Sequence, residues 1–186
     1  ARAALEDTVE AVTSVPGVEP VLVLDGDPAE WCHRIEVLPQ RGEGLDERLA
    51  AAFADLGGTT LLVGMDTPQV TPELLGAAVD RLRSPGTDAV LGPALDGGYW
   101  TVGLPEPDDE AFLGVPMSTA STGAAQLTRL RERGRAVCLV PELRDVDGWE
   151  DAVTVAAEAP STRFARAVGT LDVDRPGSGG GGGRGR

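Results

Sequence analysis

The run Thr59-Thr60-Leu61-Leu62-Val63-Gly64-Met65-Asp66-Thr67-Pro68, continued by Thr71-Pro72-Glu73-Leu74-Leu75, decides the fold: an apolar strand, an acidic turn, then a helix start. The helix signal has three chemical parts. Thr71 offers a capping hydroxyl, Pro72 takes the first helical position where no N–H is needed, and Glu73 faces the positive end of the helix. The unbroken apolar run before it has the length and composition of a strand covered on both faces. Asp66 therefore stands just past the carboxyl end of a buried strand, where open α/β sheets bind their ligands.

The same alternation extends in both directions. Ala4 to Val12 carries apolar residues at helical spacing, and Val21-Leu22-Val23-Leu24 reads as a strand. Ile35-Glu36-Val37-Leu38 alternates weakly, and Leu45, Leu49, Ala52, Phe53 and Leu56 form the stripe of an amphipathic helix. Beyond the central run, Asp88-Ala89-Val90-Leu91 and Tyr99-Trp100-Thr101-Val102-Gly103-Leu104 are strands joined by a loop that holds Asp96-Gly97-Gly98. Gln126 to Arg133 reads as a helix and Ala136-Val137-Cys138-Leu139-Val140 as a strand. Strands alternating with helices predict an α/β fold in three layers with a mostly parallel sheet. Residues 1–172 form one domain in this reading, and the glycine-rich 173–186 a disordered tail.

Composition narrows the chemistry. Sixteen basic residues against thirty acidic give a net charge of -14, a field that repels phosphate backbones and anionic bilayers. Nucleic acid and membrane partners are therefore not expected. No stretch has the apolar length of a membrane span or the pattern of a signal peptide, which predicts a cytoplasmic protein. The chain has no lysine and a single histidine, His33, placed in what reads as a short surface helix. Schiff-base and phosphate-loop lysines are excluded, as are histidine-rich zinc sites. Cys32 and Cys138 read as reduced thiols acting as small hydrophobes. Carboxylates, hydroxyls and arginines remain, a donor set that suits Mg2+ or Mn2+.

Five segments in register carry a family resemblance: Leu38 to Leu45 with Arg48, Gly64 to Leu75, Leu91 to Trp100, Val115-Pro116-Met117-Ser118-Thr119, and Leu143-Arg144-Asp145-Val146-Asp147. Over about residues 1–155 the chain resembles the GT-A-like transferases of domain of unknown function 2064, the selenodomain-associated type. It is more distantly similar to MobA-like nucleotidyltransferases and 2-phospholactate guanylyltransferases. The resemblance implies a nucleotide-diphospho-sugar transferase fold, a nucleotide-activated small-molecule donor, and Mg2+ or Mn2+ held by Asp66, Asp96 and Asp147. It further implies catalytic roles for Asp96 and Asp147. Glycosyl transfer is the expected reaction, with nucleotidyl transfer or a non-catalytic remnant of the fold as alternatives.

The chain departs from the family at three places. Met65 replaces the usual serine before the metal-binding acid, and Gly148-Trp149 replaces Thr-Pro after Asp147. Relatives also begin with a strand and a basic glycine loop ahead of the helix that corresponds to Ala1–Leu5. Their absence predicts an N-terminally truncated fragment whose sheet lacks its first strand, a reading that the coding sequence upstream of Ala1 tests.

Each candidate residue has an ordinary use as well. Asp66 before Thr67-Pro68 can make a local turn, and Asp96 before Gly97-Gly98 is a hairpin signal in its own right. Asp145 and Asp147, two apart on an extended segment, face the same way, either around a cation or as solvated charges. Ser118 and Thr119 precede a helix, where hydroxyls cap or meet substrate phosphate. Arg41 is the arginine placed to reach phosphate, against plain solvation. Gly97, Gly98 and Tyr99 complete the substrate-binding set, with either Tyr99 or Trp100 directed into the core. The donor nucleotide, the acceptor and the oligomeric state are encoded in none of these motifs.

Overall fold

The structure, a computed structural model, describes residues 1–28 and 35–173. The expectations for His33, Cys32 and the glycine-rich tail lie outside the described residues. Helices α1 (Arg2–Thr13), α2 (Leu45–Leu56), α3 (Pro72–Leu82), α4 (Thr122–Glu132), α5 (Trp149–Glu158) and α6 (Arg163–Val173) surround strands β1 (Val21–Leu24), β2 (Glu36–Pro39), β3 (Thr60–Val63), β4 (Ala89–Pro93), β5 (Tyr99–Leu104) and β6 (Val137–Leu139). A 3-10 turn at Asp109–Ala111 precedes α4.

The strands form two sheets. One is the parallel pair β1–β2; the other has the order β3-β5-β4-β6. Strand β5 runs antiparallel to both of its neighbours, and β4 pairs parallel with β6, so β3, β4 and β6 share one direction. The four-stranded sheet thus has three strands in one direction and one reversed, and β1–β2 is a separate two-stranded sheet. Burial follows pairing. The central strands β4 and β5 are almost wholly buried, whereas the equally apolar β1 and β3 are only half-buried.

Helices cover both faces of the four-stranded sheet. On one face Leu49 and Phe53 of α2, Phe112 after the 3-10 turn, and Leu130 of α4 pack on Ala89, Leu91, Val102 and Leu104. The Phe53 and Phe112 rings meet at 4.8 Å between centroids. On the other face Leu75, Ala78 and Leu82 of α3, with Ala11 of α1 and Val15 just beyond it, cover Trp100 and Val90. Each fully buried large apolar side chain contributes roughly 1.5–3 kcal/mol. A third cluster, Ala4, Ala152, Val155, Phe164 and Val168, joins α1 to α5 and α6.

Thr71 accepts from the Leu74 amide at 3.2 Å, as the capping signal of α3 requires. Helices α5 and α6 start on local bonds, Gly148 N–H to Asp151 Oδ2 at 3.2 Å and Ala165 N–H to Thr162 Oγ1 at 3.0 Å, and tertiary contacts add to them. Asp7, buried on α1, accepts from the Arg163 and Phe164 amides at 3.1 and 2.8 Å and so caps α6 from another helix. Among the described residues no helix is long and apolar enough to cross a membrane.

Candidate active site

Three loops at strand ends meet in one place. The first follows β3. Gly64 donates to the Trp100 carbonyl at 2.9 Å, and a Cβ on Gly64 would lie 2.8 Å from Asp66 Oδ1. A side chain at 64 would make the Asp66 carboxylate shift from this position. Val70 N–H closes the following turn on the Thr67 carbonyl.

The second loop is the β4–β5 hairpin, which realises both readings of Asp96. Its Oδ1 accepts from the Gly98 amide at 2.6 Å, a local turn contact, while its carboxylate also joins an acidic cluster. Gly97, at φ +92°, lies so close to α4 that a Cβ would come within 2.0 Å of the Ala120 carbonyl oxygen. The Gly123 amide donates to the Gly97 carbonyl at 2.8 Å and fixes the hairpin against the helix start. Ser118 and Thr119 lie in that same approach. Ser118 adopts φ +56°, a left-handed conformation uncommon outside glycine, and the Thr119 amide donates to Thr122 Oγ1.

The third loop, Leu143 to Asp147, is stitched to the other two. Leu143 pairs with the end of β4 through Leu143 N–H to the Pro93 carbonyl and Leu95 N–H to the Leu143 carbonyl, and Val146 N–H donates to the Asp66 carbonyl at 2.9 Å. One carboxylate oxygen each from Asp96, Asp145 and Asp147 lies within 4.8 Å of the others. Asp145 and Asp147 thus do face the same way.

The electrostatics follow from this crowding. Burial, then the charges of Asp96, Asp147 and Asp66, push the Asp145 carboxyl up to about 6. Asp66 is also raised from its ordinary value, by burial first and then by Asp147 and Asp96. Among the described residues no arginine forms an ion pair with any of the four. Arg144, the nearest in sequence, pairs with Asp151 at 3.0 Å instead. Converging hard oxygens with negative charge that no ion pair offsets among the described residues fit Mg2+ or Mn2+, and the described members of the cluster are all carboxylates.

The structure redistributes the predicted set. The compact group is Asp96, Asp145 and Asp147, with Asp66 as a neighbour coupled through charge and backbone. Asp145 is thus the member that the sequence left open between a cation group and a solvated charge and that was not among the expected metal-binding acids. Its signal was the two-residue spacing from Asp147. Arg41 is engaged elsewhere, in an exposed ion pair with Asp55 of α2. Tyr99 is directed into the α4 layer, its hydroxyl 3.4 Å from Gln126 Oε1 and 3.9 Å from Met117 Sδ, and burial raises its pKa well above the usual phenol value. The cause is a bulge: the β4–β5 register passes from Gly92↔Thr101 to Pro93↔Tyr99 and skips Trp100. Tyr99, rather than Trp100, then shares the α4-side face with Val102, while Trp100 packs on the α3 side.

Comparisons with known proteins agree with this architecture. A family profile described as "Uncharacterized protein conserved in bacteria (DUF2064)" matches residues 8–119. A solved structure from Desulfovibrio desulfuricans G20, provisionally named a nucleotide-diphospho-sugar transferase, superposes with a TM-score of 0.79 at 22% identity, covering 92% of this chain and 81% of that one. CMP:2-keto-3-deoxy-manno-octonic acid synthetase, solved with CTP, superposes with a TM-score of 0.58 at 10% identity, covering 92% and 88%. No curated protein sequence matches the chain.

Proposed function

The chain belongs to the DUF2064 family, and from that premise we propose that it is a cation-dependent transferase acting on a nucleotide-activated donor, moving a glycosyl group from a nucleoside diphosphate sugar. The observation that carries this reading is the convergence of Asp96, Asp145 and Asp147 beside Asp66 with no arginine, among the described residues, in an ion pair with them. A site so charged repels a diphosphate unless a cation comes with it.

Asp66, Asp96, Asp145 and Asp147 would hold Mg2+ or Mn2+, which when bound supplies compensation for the charge on the departing diphosphate. The chain's own groups orient the reactants. The glycine hairpin Gly97-Gly98, seated on α4, brings backbone rather than side chains up to the substrate, and Ser118 and Thr119 offer hydroxyls at the helix start. In glycosyl transfer the acceptor hydroxyl forms a bond to the anomeric carbon as the bond to the β-phosphate oxygen breaks. The hydroxyl proton then passes to a carboxylate, for which Asp96 or Asp147 is suited by exposure.

Nucleotidyl transfer is the second reading, supported by the likeness to a synthetase solved with CTP. Product analysis separates the two, because glycosyl transfer releases a nucleoside diphosphate and nucleotidyl transfer releases pyrophosphate. Mn2+ titration tests the shared premise: Asp66→Ala and Asp96→Ala should each weaken binding at least about tenfold, and affinities equal to the parent would remove the cation site from the reading.

A further inference from the structure

Most of the links that bring the three acidic loops together are backbone bonds; the side-chain link that runs directly between loops comes from a residue with no carboxylate. Gln69, in the loop after Asp66, donates through Nε2 to the Arg144 carbonyl, the peptide oxygen immediately before Asp145. We propose that Gln69 is a positioning residue that sets the register of the Asp145–Asp147 loop against the Asp66 loop, and thereby the spacing of the carboxylates. The inference rests on the cation-site reading for its consequence, not for its geometry.

Leu143 to Asp147 has no regular secondary structure apart from the bridge at Leu143, so tertiary contacts set its path, among them the packing of Leu143 and Val146 and the Arg144–Asp151 ion pair. Leu143 is fixed at one end by its bonds to Pro93 and Leu95, and Gly148 at the other by its amide on Asp151 Oδ2. Between these anchors the loop is held to Asp66 by the Val146 amide and by Gln69. The two contacts flank Asp145 on either side. Losing the Gln69 amide leaves the Arg144 carbonyl, part-buried, without this donor, and four mutually repelling carboxylates then favour separation.

A second observation concentrates polarity at the same junction. The buried side-chain atoms without a partner among the described residues are Thr67 Oγ1, Gln69 Oε1 and Arg144 Nε, all in the two segments that Gln69 connects. Unpaired buried polar atoms are costly, and their grouping here marks a junction arranged for loop placement rather than for stability alone.

The test uses Gln69→Leu, which keeps bulk without a donor, and Gln69→Asn, which keeps the amide but falls one methylene short. Two readouts are taken: amide hydrogen exchange at Val146, and Mn2+ affinity in the parent and Asp145→Asn backgrounds. Expected are exchange at Val146 about tenfold faster with helix α2 unchanged, and Mn2+ binding weakened at least about tenfold. In the Asp145→Asn background the same substitution should cost less than in the parent, because Asp147 is then the loop ligand left to misplace. Unchanged Val146 exchange, or exchange that rises evenly along the chain, overturns the proposal. A parent chain that binds no Mn2+ refutes the cation reading alone, and Val146 exchange then decides the role of Gln69.

Discussion

Asp145 shows at the scale of one residue what crowding of like charges does. Burial and three neighbouring carboxylates favour its neutral form, so the folded chain takes up this proton at a higher pH than the unfolded chain. That uptake stabilises the fold fully below the ordinary value of 3.8 and is lost as pH rises through about 6. Carboxyl-carbon NMR should therefore show an Asp145 midpoint near 6. Asp145→Asn should raise the melting temperature at pH 7, with the gain shrinking as pH falls towards about 4. Gly97 is the second decisive residue. Gly97→Ala forces a Cβ against the Ala120 carbonyl at a positive φ, and urea unfolding should report a loss of at least roughly 1–3 kcal/mol. The need for glycine at 97 was legible only as a turn signal; the partner that makes it obligatory is distant in sequence.

At the scale of elements, the helices and strands that were legible are those whose own side chains specify them. The Thr71-Pro72-Glu73 start, the α2 stripe and the apolar runs of β1, β3 and β5 all appear within a residue or two of the expected bounds. Helices α5 and α6 were not read from the sequence, although Thr162 caps α6 locally by accepting from the Ala165 amide; what the sequence could not give is the second acceptor, Asp7, contributed by α1. Asp7→Ala should destabilise the chain by about 1–2 kcal/mol in urea unfolding, with the earliest loss of amide protection at Arg163 and Phe164. Strand β5 was legible as a strand but not in its facing. The bulge that skips Trp100 depends on how β4 pairs, and this non-local choice sends Tyr99 towards α4.

At the scale of the whole molecule, a net charge of -14 makes stability sensitive to salt in two separable ways. Screening by any electrolyte relieves the overall repulsion, while on the proposed reading a divalent ion at the carboxylate cluster would add a specific term. At matched ionic strength MgCl2 should raise the melting temperature beyond NaCl, and Asp96→Asn combined with Asp145→Asn should abolish the excess. The division of the strands into two sheets is also a property at this scale. Strands β1 and β3 are as apolar as β4, yet their placement at the sheet margins leaves them half-buried.

The sequence by itself determined what local chemistry encodes: the alternation of strand and helix, the strand-end positions of Asp66 and Asp96, the absence of lysine, and a donor set suited to hard cations. Only the tertiary structure decided which acids meet. It placed Asp145 in the group, set Asp66 beside it, tied Arg41 to Asp55 and turned Tyr99 away, because each outcome depends on a bond between segments far apart in the chain. Periodicity reports which face a residue occupies within its own element; the register between elements is settled by packing and by backbone groups that need partners.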